Sequence, residues 1–299
     1  MYPSRRRTLH PGLLTAFVLV LLAAQQVLTV PGSGRLVGGL QNALHGPWFA
    51  AVMWLFLTLS ARRLPDWRGI AVAGVAAVAA AFGTEGLQML TGGDAELSDV
   101  GFDLLGAAAA TALFCARSGR WRRAPGYLVG ALLLVATLYP FGEAAAVEWQ
   151  RRAFLPQLVH FGAPLSASLY RVNSPAEVVD APTPWPGVRR ALEIHLSDQT
   201  WPGVAFDEPL DDWRPYSALT IDAYVAGSAP LPVTVSVRLD HAAVDHVYRT
   251  FACAPGPCRI TLPLTGLFDR ATARVNAVVI YSQRPYAGRT LYLGRIGLD

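Results

Sequence analysis

Five side chains in the first half of the chain have the types and spacing to do chemistry together. Glu85 and Gln88 stand at i and i+3 near the end of one apolar run, and Asp99 and Asp103 stand at i and i+4 at the start of the next. In a helix each pair shares a face. His45 opens another apolar run, and Glu85 lies about 8 Å short of Leu90 along a helix axis, so all five reach one depth. An ionised side chain at mid-bilayer costs about 2.5–3.5 kcal/mol, which makes acids within such runs functional candidates. The chemistry open to them is acid–base exchange between His45 and a buried carboxylate, a proton shared by neighbouring carboxylates, or a divalent ion held between them. Each also has a plain structural use. Asp99, behind Ser98, can cap a helix; Gln88 can bond between helices; His45 can face water. No His- or Cys-rich ligand spacing, Gly-rich phosphate loop or Ser or Cys nucleophile motif accompanies them, so the sequence calls for no cofactor and no resident metal.

The elements that must position these residues are membrane spans. A 299-residue chain with 15% charged residues and a mean hydropathy of +0.33 is not a wholly soluble protein. A span needs roughly 20 apolar residues. Five runs qualify, at 13–30, 44–60, 69–90, 100–116 and 125–141. The first follows Arg5, Arg6 and Arg7 like a signal peptide, but it is long and has no A-x-A site, so it reads as a retained anchor. Arg62, Arg63 and Arg68, then Arg117, Arg120, Arg122 and Arg123, occupy alternate connections, and the intervening short loops hold only Arg35. Arginine stays on the cytoplasmic side during insertion, so the N-terminus is expected in the cytoplasm of a bacterium and the chain beyond Gly142 outside its plasma membrane. The net charge of +4 and pI near 9.1 come from scattered arginines without interleaved aromatics, which excludes a nucleic-acid partner.

Residues 143–163, with Trp149, Phe154, Leu155, Leu158 and Phe161 beside Arg151 and Arg152, read as an interfacial helix. A Pro-rich stretch follows with Pro175, Pro182, Pro184 and Pro186. The remainder is β by alternation: Leu219, Ile221, Ala223 and Val225; Val233, Val235, Val237 and Leu239; Val275, Ala277, Val279 and Tyr281; Leu291 and Leu293. Cys253 and Cys258 flank a Pro-Gly turn between strand-like runs and are expected to form a disulfide, which the outer compartment allows. Cys115 reads as a small apolar residue inside a span. The fold class is thus a five-helix transmembrane bundle followed by an all-β sandwich over residues 164–299.

Two resemblances sharpen this reading. Trp201-Pro-Gly-Val-Ala-Phe, Asp212-Trp213-Arg-Pro-Tyr216, Ile260-Thr-Leu-Pro-Leu264 and the closing Thr290–Ile296 segment resemble the galactose-binding-like jelly rolls of carbohydrate-binding modules. That resemblance implies a fold before a ligand, with Trp201, Trp213 and Tyr216 as candidate sugar-stacking residues. It also implies a structural calcium held by an acid of the final strand, where this chain has Gly294. Leu44-His45-Gly-Pro-Trp-Phe49, Glu85-Gly-Leu-Gln88 and Ser98-Asp99-Val-Gly-Phe-Asp103-Leu-Leu-Gly106, taken in order, resemble VanZ-like membrane proteins over residues 12–142. That family is associated with lowered susceptibility to teicoplanin, and its activity is not established. Two positions depart from its pattern: Asp94 stands near the place of the loop arginine, and Asp103 stands for the usual asparagine. The functions implied are a non-catalytic envelope protein that engages a lipid or lipid-linked glycan at the outer leaflet, with a sugar-binding outer domain, or an enzyme on a lipid-linked saccharide using His45 with Glu85, Asp99 and Asp103.

Overall fold

The computed structural model describes residues 34–64, 66–91, 96–207, 212–239, 246–265, 275–283 and 286–299. The expected anchor at 13–30, Arg5 to Arg7 and Asp94 lie outside the described residues. The chain divides into two compact units, Met1–Ala145 and Ala146–Asp299.

Five helices precede the sheets among the described residues: α1 (Arg35–Arg63), α2 (Trp67–Thr91), α3 (Leu97–Arg117), α4 (Arg123–Ala136) and α5 (Tyr139–Phe154). The first three are long and apolar enough to cross a membrane. Their outward residues are also apolar, with Val75 72% and Leu90 85% exposed on α2. Helix α1 starts at Arg35 rather than at 44, and Pro47 lies inside it. A proline next to a glycine reads as a helix start because proline suits the first turn. The helix runs upstream of it, and there Gly39 lies against Pro140 and Ala144, where any Cβ would collide.

The expected span at 125–141 is broken rather than continuous, and the two helices that form it are together long and apolar enough for one bent span. Helix α4 ends at Ala136 after 14 residues, about 21 Å, and α5 leaves it at a 45° bend. Pro140 is the reason: it has no N–H for the Ala136 carbonyl, and its ring crowds that oxygen. Helix α5 takes up much of the segment expected at the interface, with Trp149 77% exposed and Glu148 paired to Arg151 and Arg152.

The second unit is an antiparallel β-sandwich. Its strands are β1 (Gln157–Val159), β2 (Tyr170–Val172), β3 (Ala176–Asp180), β4 (Arg190–His195), β5 (Gly203–Asp207), β6 (Ala218–Val225), β7 (Leu231–Leu239), β8 (His246–Cys253), β9 (Gly256–Pro263), β10 (Val275–Tyr281) and β11 (Thr290–Leu298). One sheet runs β3-β4-β11-β6-β9 with β1 on β11, and the other runs β2-β5-β10-β7-β8. Because β1 pairs with β11, the sheet starts at Gln157, upstream of the expected boundary at 164. Between the sheets lie Leu219, Ile221, Ala223 and Val225 of β6 opposite Leu231, Val233, Val235 and Val237 of β7, as the alternation requires.

In β10 the expected facing is overturned. A bulge between Val275 and Ala277 shifts the register, so Val275, Val278 and Ile280 enter the core while Val279 and Tyr281 turn to the opposite face. One extra residue exchanges the two faces of everything beyond it.

Cys253 and Cys258 are bonded, with Cα atoms 5.7 Å apart, and Gly256 takes φ 92° in the turn between them. The bond staples the end of β8 in one sheet to β9 in the other. Replacing Cys258 by Ser is expected to cost about 2 kcal/mol, the loop-closure entropy of so short a ring. A fall in the urea midpoint of the β unit, together with thiol labelling of wild type only after reduction, checks both the bond and its effect. Cys115 is buried and free, as expected of a small apolar residue.

Candidate functional site

The first unit brings His45, Glu85, Asp99 and Asp103 together. Helices α1 and α3 touch by backbone: a Cβ at Gly106 would collide with the Gly46 carbonyl, and one at Gly46 with Thr137. These glycines are the residue after His45 and the residue one turn beyond Asp103, so their contact draws the two side chains into line. His45 Nδ1 donates to Asp103 Oδ1 at 3.0 Å, and Asp103 is fully buried. With Nδ1 carrying the proton, the Nε2 of the neutral ring is an acceptor; it faces Asp99 Oδ2 at 3.8 Å.

Glu85 comes from α2. Its Oε2 accepts the Glu96 backbone N–H at 3.0 Å, which satisfies an orphan donor at the start of α3 and fastens the two helices. Gln88 donates to Glu85 Oε2 and Oε1 at 3.1 and 3.3 Å when its amide is turned to bond. The helix-cap role open to Asp99 is not the one it plays. Glu96 is the N-cap of α3, Ser98 Oγ donates to Glu96 Oε2, and Asp99 Oδ1 is buried without a hydrogen-bond partner among the described residues. Asp103 Oδ2 is in the same state. Exposures of 9% for His45, 7% for Glu85 and 6% for Asp99 separate this cluster from a solvated helix end. Although the sequence calls for no metal, the ligand atoms of His45, Glu85 and Asp99 lie within 4.8 Å of one another.

In the β unit the three candidate stacking residues have different fates. Trp213 is fully buried in the core, and Tyr216 is half-buried against it. Trp201 is 49% exposed and meets Tyr281 edge-to-face at 5.0 Å between centroids. Asn173 holds the Trp201 loop: its Oδ1 accepts the Gly203 N–H at 2.7 Å and its Nδ2 donates to the Trp201 carbonyl. Gly203 must lack a side chain because a Cβ there would run into the Ile280 carbonyl.

The sheet face around Trp201 was not legible in the sequence. Tyr281 pairs with Gly203 and Thr234, and Ser236 pairs with Tyr248, so these residues share one face with Thr250, whose hydroxyl lies 2.9 Å from that of Thr234. Tyr281 reaches this face only through the β10 bulge. The other sheet carries a second aromatic group, in which Trp185 meets Tyr224 and Tyr224 meets Tyr292. Burial and the neighbouring Glu193, to which it donates at 2.8 Å, push the Tyr292 hydroxyl up to about 12. Gly294 lies beneath Trp185 and Val188, where a Cβ would collide, so an acidic calcium ligand does not fit at that position. A cleft of about 530 Å³, lined by Gln157, His160, Arg189, Arg190 and Arg295 among others, is a further feature that the sequence did not signal. Arg190 of β4, Arg189 just before it and Arg295 of β11 suit an anionic group.

No family model matches the chain, and no curated protein matches it. Several solved structures align with part of the chain. An exo-β-agarase aligns with a TM-score of 0.42 and 13% identity over 48% of this chain and 24% of its own, so this chain spans about a quarter of that enzyme. A family 22 xylan-binding module from Paenibacillus barcinonensis aligns at 0.33 with 10% identity, covering 44% of this chain and 92% of the module. A family 11 carbohydrate-binding module from Clostridium thermocellum aligns at 0.30 with 13% identity, covering 43% of this chain and 82% of the module.

Proposed function

We propose that this chain is an integral bacterial envelope protein, VanZ-like in its helical unit. Its polar cluster engages the head group of a lipid or lipid-linked glycan at the outer leaflet, and its β-sandwich holds sugar outside the membrane. The observation that carries the reading is the convergence of His45, Glu85, Asp99 and Asp103 from three apolar helices into one nearly dry site. Burying so many ionisable groups costs stability, which a purely scaffolding bundle has no reason to accept. The apolar outward faces of α2 and α4 support insertion, and the alternation of arginine-bearing connections supports a cytoplasmic N-terminus. Trp201, half exposed and edge-to-face with Tyr281, with the exposed Thr250 on the same sheet face, supports sugar stacking there.

Lipid analysis of the detergent-purified full chain tests this directly. One glycolipid class retained in near-stoichiometric amount supports the proposal, and bulk membrane lipid alone overturns it. A periplasmic reporter fused after Asp299 is expected to be active; activity of a cytosolic reporter there would overturn the topology. A second reading, an enzyme on the same lipid, is favoured by one observation: the His45–Asp103 pair has the geometry of a histidine base oriented by a carboxylate. Conversion of the retained lipid on incubation would decide for it.

A further inference from the structure

Asp99 is more than nine-tenths buried, yet its Oδ1 accepts no hydrogen bond from a described residue. Its Oδ2 stands 3.8 Å from His45 Nε2, too far for a hydrogen bond. His45 is itself fixed from behind, because Nδ1 donates to the fully buried Asp103, and Nε2 is on the side of Asp99. An imidazole whose far nitrogen is anchored to a carboxylate is the usual arrangement of a metal-ligating histidine and its supporting residue. Glu85, from a third helix, completes a set of ligand atoms that all lie within 4.8 Å of one another. Ligands on opposite sides of one ion are separated by twice the bond length, about 4.6–5.2 Å for bonds of about 2.3–2.6 Å, and slightly less for smaller ions.

We infer that His45, Glu85 and Asp99 bind a divalent metal cation, with Asp103 positioning the histidine. The charge balance agrees: three carboxylates share the site, and the His45 ring that Asp99 and Asp103 face is uncharged when its Nε2 serves as a ligand. A divalent ion would supply the missing positive charge and satisfy the unpartnered Asp99 oxygen. One imidazole with two carboxylates suits a first-row ion such as manganese or zinc better than the all-oxygen sets of magnesium and calcium. The ion would also give an otherwise acidic site an attraction for a phosphate, although the inference does not depend on the lipid proposal.

The test uses the full chain, purified in detergent, stripped with a chelator and titrated with manganese chloride alone, free Mn²⁺ being read by electron paramagnetic resonance. Wild type is expected to take up one Mn²⁺ per chain. Asp99→Asn and Glu85→Gln are each expected to weaken uptake at least about tenfold, and Asp103→Asn by about 10–100-fold through the histidine. Asp212→Asn, in the exposed pair with Arg214 of the β unit, leaves uptake unchanged. Absence of saturable uptake by wild type overturns the inference, as does an Asp99→Asn protein that binds like wild type. Should Asp99→Asn aggregate, Glu85→Gln carries the same decision. Since no lipid is added, failure here leaves the lipid proposal standing, and failure of lipid retention leaves this one standing.

Discussion

The double variant Glu85→Gln, Asp103→Asn is expected to lose the retained glycolipid at least about tenfold while the chain still inserts and Cys253–Cys258 still forms. Both replacements keep shape and one acceptor oxygen. The amide introduced in place of Glu85 can still accept the Glu96 N–H that fastens α2 to α3, and the amide introduced in place of Asp103 can still accept from His45 Nδ1. The charges disappear, and the second oxygen of each becomes an NH2 donor. Hydrogen bonds to charged groups contribute about 1.5–3 kcal/mol each, and each 1.4 kcal/mol is a factor of about ten in affinity, so loss of one head-group contact already accounts for the expected fall. If the carboxylates were solvated helix ends, amides would serve equally well. A deletion phenotype rescued equally by wild type and by the double variant at matched expression, with glycolipid retained, would show that the cluster is structural. Function would then belong to the β unit.

The second large effect separates two tryptophans that look alike in the sequence. Trp213→Ala should destabilise the β unit by about 3–5 kcal/mol, because a fully buried indole leaves a cavity that the surrounding strands cannot close. That is much of the about 5–15 kcal/mol that holds a typical domain together. Trp201→Ala should change the urea midpoint little, since the ring is half exposed and its loop is held by Asn173 through backbone atoms. It should instead weaken glycan binding about 30-fold, the effect of removing an aromatic anchor that contributes about 2 kcal/mol. Binding of the full chain to an array of envelope and plant polysaccharides, read beside denaturant unfolding, distinguishes the two outcomes. Unchanged array binding by Trp201→Ala would remove this sheet face from the proposal.

Local sequence alone specifies the elements and the raw material of the site. Apolar runs set helices α1 to α3, because only a continuous apolar stretch can give up water along its whole length. Alternation set β6 and β7, and a Pro-Gly turn set the Cys253–Cys258 bond. Helical period and depth were enough to single out His45, Glu85, Asp99 and Asp103 as one group. These are local properties, written in neighbouring residues.

Tertiary packing settles who meets whom. Gly46 against Gly106 makes Asp103 the partner of His45 and leaves Asp99 facing its other nitrogen, and Glu96 claims one oxygen of Glu85. The β10 bulge moved Tyr281 out of the core and under Trp201, while Trp213, with the same side chain as Trp201, went inside. Periodicity specifies which residues share a face, but the approach of two backbones and a one-residue slip in a strand depend on partners far away in the chain, so no local pattern carries them.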